Sequence, residues 1–522
     1  MVNVHRRNGC VRRRAEVARV MNRSRLSPAV SSVCLATALL APCAAHADDA
    51  TDAAWPGAIH RSPHLLRAGL EMTGFLAIGA TWYWLNKEVN SADWEYSTFS
   101  SRLTLDAIRF DNNSFATNHL LHTGAGAAYH AFARANGLPL WASALSTFAT
   151  STLWEGVLEF KERVSINDEV FTTVGGVALG ETWFQLGDYL QSAPDGGGGW
   201  HRAAAWTFGF PVALHDAIDG RVSGAGPTDA LGFSARFWHR FELDLESTRL
   251  TSDGARFVRS QGLRLSASIV NLPGYLSARR MRKAFWSGNF TDLRFRLARE
   301  GATLGEIDVL ASTTLFGIHH QDLDGPPDDL QGVAATLGVS IGFEHMQRHG
   351  LGPHDRIALV RLPGLSMSLQ QAFGGERWLR LRADAHPEFA AMHALAWPIW
   401  REAHPNVHTK SVLVDQEYAY YAGVATSLIA TFEWGGFELG GYGRYGFYDS
   451  IEGLDREQDL MEVDVQTEED LIEHHLWVGW NFRSPAIQLR VSLEDLLRRG
   501  RAEEFDVDAR DTRGIAAVGY VF

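Results

Sequence analysis

The chain has 522 residues, 61 acidic against 48 basic, and a formal charge of −13. Eight arginines fall in the first 47 residues, so the remainder is more acidic still. That excludes nucleic acid as a partner, because phosphate contacts need clustered lysine and arginine. The length allows two domains with sizeable cores, and 17 tryptophans with 50 glycines suit a lipid-facing β-structure ringed by aromatic side chains.

Residues 1–47 read as an export signal. Arg23 and Arg25 precede the apolar run Ala29 to Ala41, and Ala45-His46-Ala47 supplies a small-x-small cleavage site. Met21 would give a signal of ordinary length and is a candidate true start. Cys10, Cys34 and Cys43 all lie in this piece, so the exported protein is expected to lack thiols. Residues 48–117 form a linker and an apolar helix, Leu65 to Leu85, interrupted by Arg67 and Glu71. Its clean stretch is shorter than the roughly 20 residues of a spanning helix, which suggests a buried or interfacial one.

Residues 118–192 have helical periodicity and form a helical domain, with helices expected at about 118–135, 139–163 and 166–191. Pro139 suits a first turn, and Ser165 suits an N-cap, three residues before Asp168. Polar groups stand inside otherwise apolar helices: His119 and His122, Glu155 and Glu159, Asp168 and Thr172, then Glu181. Each of the first three pairs is spaced to share a helix face. Unpaired burial of these carboxylates would cost several kcal/mol or so. Histidine with carboxylates on facing helices points to a base, an acid or a set of metal ligands. The candidate catalytic residues are His119, Glu155, Glu159 and Asp168. His122, Ser165, Thr172, Gly176 and Glu181 are candidates for ligand binding or a supporting network, and no particular cofactor or metal is indicated. The alternative is a satisfied polar network that only fixes helix packing.

The order His…Tyr129, Trp154-Glu155-x3-Glu159, Ser165-x2-Asp168-x3-Thr172-x2-Gly175, Gly180-Glu181 resembles the bacterial envelope family catalogued as domain of unknown function 3943. The same spacing is more distantly similar to VanZ-type membrane proteins, a family linked to glycopeptide tolerance. Glu159 departs from that pattern, which usually has glutamine there.

Residues 193–231, with four consecutive glycines at 196–199, read as a linker. From 232 to 522 the periodicity alternates, with about twelve extended segments separated by turns such as Gly374-Gly375 and Gly435-Gly436. The last segment places Tyr520, Val518 and Ala516 on the face of the terminal Phe522, which resembles the signal read by the outer-membrane barrel insertion machinery. The expected fold class is therefore α+β: an N-terminal α-helical block followed by an antiparallel transmembrane β-barrel of about 12 strands. Asp449–Asp470, with ten acids and one arginine, and Asp384–Asp415, with His386, His393, His404 and His408, are expected as external loops. Asn271–Gly288 and His319–Gln331 would be unusually long turns at the opposite end.

These features imply a protein of the Gram-negative outer membrane, with outer-membrane lipid and the insertion machinery as partners. Its helical domain would be periplasmic or plug-like, and its role structural or in transport. The alternative is an envelope enzyme, or a ligand- or metal-binding protein, that uses the His/Glu/Asp cluster.

Overall fold

The computed structural model describes residues 58–85, 99–103, 106–160, 162–252, 256–348, 356–482 and 486–522. The expected export signal and the three cysteines lie outside the described residues.

Alternation builds the second half of the chain. In β1 (Trp238–Ser252), Leu243 and Leu245 are exposed while Asp244 and Glu246 are buried. Successive side chains of a strand take opposite faces, so one face is apolar and the other charged. The same logic continues through β2 (Arg256–Val270), β3 (Phe290–Glu300), β4 (Thr303–Asp324), β5 (Gln331–Arg348) and β6 (Arg356–Phe373). It runs on through β7 (Arg377–His393), β8 (Tyr418–Trp434), β9 (Phe437–Ser450), β10 (Thr467–Asn481), β11 (Ile487–Ala502) and β12 (Phe505–Val521). Each strand pairs antiparallel with the next, and β12 returns to β1 with Tyr520 opposite Leu243, closing a twelve-stranded barrel. A further short strand, Arg280–Phe285, pairs with the lower half of β4 below the end of β3.

The outward face carries an apolar belt that includes Leu245, Val424, Leu476 and Val491, each at least 60% exposed. Trp434, Trp480, Tyr520 and Phe522 ring the rim where the chain ends. The inward face is crossed by charge pairs: Arg348 to Asp511 at 2.6 Å, Arg513 to Glu306 at 2.8 Å, Arg444 to Glu388 at 2.6 Å and Arg240 to Glu438 at 2.6 Å. At the opposite rim, the β7–β8 connection folds into the barrel mouth. Its Trp397 and Trp400 are buried among the inward-facing Leu359, Met392, Tyr421 and Tyr448. Cavities of about 100 and 270 Å3 remain inside.

The first half is helical: α1 (Leu65–Leu85), α2 (His122–Ala135), α3 (Leu140–Leu153), α4 (Gly176–Leu190), α5 (Gly199–Phe208) and α6 (Phe210–Ile218). Wide π-type turns at Thr117–Leu121, Trp154–Leu158 and Phe171–Gly175 adjoin α2, α3 and α4. None of these helices is long and apolar enough to cross a membrane, a statement that does not concern the strands. The backbones of α2 and α4 touch, because a Cβ on Gly126 would lie 1.8 Å from the Thr172 carbonyl oxygen, and one on Gly176 2.6 Å from the Gly126 Cα.

The helices neither plug nor cap the barrel; they lean against its outer wall. Phe171 packs its ring on Phe343 and Phe389, and Thr313 donates from Oγ1 to the Ala178 carbonyl at 3.3 Å. Those wall residues face outward, since their neighbours Ser312, Glu344 and Glu388 pair inside the barrel. Further down, Gln185 donates to the Ser287 carbonyl at 3.1 Å, and Tyr189 meets Phe237 edge-on and Phe241 at a tilt.

Other expectations are corrected in detail. Two helices occupy part of the 193–231 stretch read as a linker; the glycine run masks α5, and Pro211 sits in the first turn of α6. Strand β7 continues past Asp384 through a bulge at Pro387, so His386 and His393 lie in the wall and not in a loop. Strand β4 continues to Asp324, leaving only 325–330 as its turn. Strands β11 and β12 extend to Ala502 and start at Phe505, through a stretch whose outward residues Arg499, Arg501, Asp508 and Arg510 are charged while Ala502, Val507 and Ala509 are buried inside.

Gly126→Ala should destabilise the helical domain by about 1–3 kcal/mol through forced separation of α2 and α4. Gly124→Ala, whose new methyl group meets nothing within 4 Å, should be neutral or stabilise by up to about 1 kcal/mol. Thermal unfolding monitored by protease cleavage within residues 117–190 distinguishes the two; equal effects would contradict the close contact.

Candidate functional site: an acidic pocket at the barrel rim

Ser165 opens the helix Ile166–Val170 as its N-cap, accepting the Asp168 N–H at 3.3 Å. That cap turns Asp168 toward α2 and the turn that follows α3. There His122, Glu155 and Asp168 converge, one ligand atom from each lying within 4.8 Å of the others. His122 Nε2 is 3.7 Å from Asp168 Oδ1. The Ser165 N–H donates to Glu155 Oε2 at 3.2 Å, and Asn167 Nδ2 donates to Asp168 Oδ1 at 2.9 Å. Glu155 and Asp168 are buried, while His122 is partly open.

Further acids surround the trio. Asp111 is buried and accepts from Arg456 at 3.4 Å, its backbone N–H donating to Asn167 Oδ1. Glu159 accepts from Trp154 Nε1 at 3.1 Å and borders the same cleft with Glu162, Arg109 and Arg163. Arg456 belongs to the acidic β9–β10 connection, which folds over the pocket, with the Phe110 N–H donating to the Leu454 carbonyl. The pocket therefore lies at the rim opposite the chain terminus, level with the start of β8, where Tyr420 donates to the Asp111 carbonyl at 3.1 Å.

Burial dominates the electrostatics, because it penalises charge. It pushes the Asp111 carboxyl up to about 7, reinforced by Asp168 and opposed by Arg456. Asp168 also rises to about 7 through burial, against the hydrogen bond from Ser165. Burial and then the neighbouring Glu159 hold Glu155 well above the usual carboxylate range. His122 is lowered by burial, against the pull of Asp111. The pocket can share protons or accept a cation.

His119, expected at the centre, lies elsewhere. It is buried in the seam between helix and barrel, with Nδ1 2.6 Å from the Phe115 carbonyl and its ring against Phe115, Phe171 and Tyr418. The π-type turn that contains it does not keep the α-helical angle between His119 and His122. Glu181 is also separate. It is fully buried and met by His130 at 2.9 Å, Arg134 at 2.9 Å and Gln185 at 2.8 Å, a compensated network. Thr172 and Gly176 serve the α2–α4 contact. Sequence reasoning missed Asp111 and Arg456, although a lone arginine in an acidic loop was a usable signal. It also missed Arg102, which donates to the Glu155 and Phe160 carbonyls and ties the end of this helix.

The two acidic groups should respond oppositely to neutralisation. In buffer containing chelator, Asp168→Asn should leave stability unchanged or raise it by about 1–2 kcal/mol by relieving uncompensated burial. Glu181→Gln should lower stability by roughly 3 kcal/mol because Arg134 and His130 lose their partner. Denaturant midpoints of the folded protein in detergent check this order, and the reverse order would contradict the assignment.

No curated protein matches the chain. Similar solved structures include a NanC porin, at 9% identity over 52% of this chain and 98% of that one, TM-score 0.24. A loop-deletion mutant of OmpT, an outer membrane protein of Vibrio cholerae, is 9% identical over 55% of this chain and 100% of that one, TM-score 0.21. OprD from Pseudomonas aeruginosa is 10% identical over 54% and 93%, TM-score 0.18. Residues 107–210, the stretch that builds the acidic pocket, match the family described as Domain of unknown function (DUF3943), the family that their spacing resembles.

Proposed function

We propose that the protein is an outer-membrane β-barrel with an envelope role in which the barrel acts as a scaffold, holding a helical domain at lipid level against its outer wall. The observation that carries this is the inversion of surfaces: apolar side chains face out and charge pairs fill the inside. The helices add to the outer apolar surface, with Leu70, Ile78 and Trp82 of α1 and Leu145 of α3 exposed. Lipid tails would cover both. The filled mouth and the cross-barrel ion pairs favour a structural role over transport through the lumen. In outer-membrane barrels the turns on the periplasmic side are short and the outer loops longer. The long β7–β8 and β9–β10 connections would then face outward, and the pocket would lie in the outer leaflet. An export signal in residues 1–47 and insertion through the strand ending at Phe522 complete this reading.

A second reading has its own observation. The convergence of His122, Glu155 and Asp168 supports a reading of the helical domain as a binding module or an enzyme.

Cell fractionation should recover the protein in the outer membrane, with heat-modifiable migration in gels; recovery as soluble periplasmic protein would contradict the proposal. In planar bilayers the wild type should show no steady conductance above the leak, whereas a stable open channel would favour transport. Arg444→Ala, which removes the nearest cation from buried Glu388, should cost roughly 3 kcal/mol and lower the temperature of heat modification.

A further inference from the structure

Buried carboxylates without basic partners require a positive charge from elsewhere or must give up their own. Among the described residues, Glu155 has no ion-pair partner and Asp168 has only His122. The arginines around the cleft are engaged with other groups: Arg102 and Arg109 with backbone carbonyls, Arg163 with Asp459, and Arg456 with Asp111 and Glu162. Glu181, in the same domain, shows how this fold compensates an acid that is purely structural: an arginine, a histidine and a glutamine surround it. The pocket at the rim lacks that arrangement.

What it has instead is a set of donors from three separate helical segments, held in place before any ligand arrives. Tetrahedral coordination at zinc-like bond lengths separates ligand atoms by about 3.4 Å. The 3.7 Å between His122 Nε2 and Asp168 Oδ1 is already close to that, and the Glu155 oxygen lies within 4.8 Å of both. Supporting hydrogen bonds orient the carboxylates: the Ser165 N–H on Glu155 and the Asn167 amide on Asp168. Such outer contacts are a regular part of metal sites.

We propose that His122, Glu155 and Asp168 form a divalent-cation site of mixed imidazole and carboxylate ligands, suited to zinc, manganese or iron(II) and not to magnesium or calcium. Three protein ligands leave a coordination position open on the partly exposed His122 side, the arrangement of sites that bind a water or a substrate group. The inference rests on the second reading above, that the helical domain holds a ligand. His119 takes no part, because Nδ1 is engaged by the Phe115 carbonyl and the ring lies in the seam.

The test uses the purified full chain in detergent, stripped with chelator and titrated with cobalt(II) as a spectroscopic probe. Wild type should bind a single equivalent with visible d–d absorption. His122→Ala, Glu155→Gln and Asp168→Asn should each abolish the band, and Asn167→Ala should weaken binding by about 10–100-fold. His119→Ala and the loop variant Asp459→Asn should bind as wild type does. Heat-modifiable migration of each variant separates loss of the site from loss of assembly. If the wild type binds no more cobalt than the His122/Glu155/Asp168 triple variant, or if His122→Ala leaves the spectrum unchanged, the site does not exist. Failure of the outer-membrane reading would instead appear in fractionation, and the cobalt result would still be readable.

Discussion

The contact on which the architecture depends is the seam between Phe171 and the outward-facing Phe343 and Phe389. Water is not its competitor if the barrel lies in lipid, since hydrocarbon tails are as apolar as the side chains they would replace. Close packing has to supply the attraction, and the seam is built for it. The wall offers Ala358 and Ala391, and the helix offers Ala178 together with Gly175, where a Cβ would come within 3.4 Å of Phe343. Small residues on both sides let the helix backbone approach the strands, and the aromatic rings fill what remains. Once that seam is set, α2 follows through Gly126 and Gly176, and His122, Glu155 and Asp168 are brought to the rim.

This domain handles buried acids in two ways. Around Glu181 the chain supplies its own counter-charges, so the network locks α2 to α4 in the manner of a fold-specifying polar core. Around Glu155 and Asp168 it supplies one imidazole and several more acids, while Arg109, Arg163 and Arg456 at the border of the cleft engage other groups. The difference is in kind. A structural network is stabilised by its partners, whereas a pocket left short of positive charge stores repulsion that a bound cation or shared proton relieves. Placement of the second group at the roofed rim, where Arg456 and Leu454 of the β9–β10 connection close over it, fits a ligand arriving from the membrane surface.

Much of this was legible from residue order. The existence of the three central helices, the Ser165 cap and the twelve strands follow from periodicity and local chemistry, although the middle helix, expected to 163, ends its helical turns at Leu158. What was not legible depends on information that periodicity does not contain. Alternation shows that β4 to β7 have an apolar face, but lipid and a packed helix both require one, so the outer-wall location of the helices was hidden. The choice between His119 and His122 turned on a π-type turn, which leaves no clear composition signal. Strand β7 hid behind Pro387, which reads as a break and sits instead at a bulge. Strand ends beyond the apolar belt were hidden because their outward face turns charged there, as at Arg499, Arg501, Asp508 and Arg510, which looks like loop.

The account stands or falls on the side of the barrel wall that the helices occupy. The most direct measurement is cross-linking in intact cells with a short thiol–thiol reagent, on a chain carrying Gly175→Cys with Phe343→Cys. A parallel chain carries Gly175→Cys with Gly342→Cys, the adjacent residue that faces the lumen. A helical domain on the outer wall predicts efficient cross-linking of the first pair and little of the second. Cross-linking of the second pair in preference to the first would return the helices to the lumen and contradict the account.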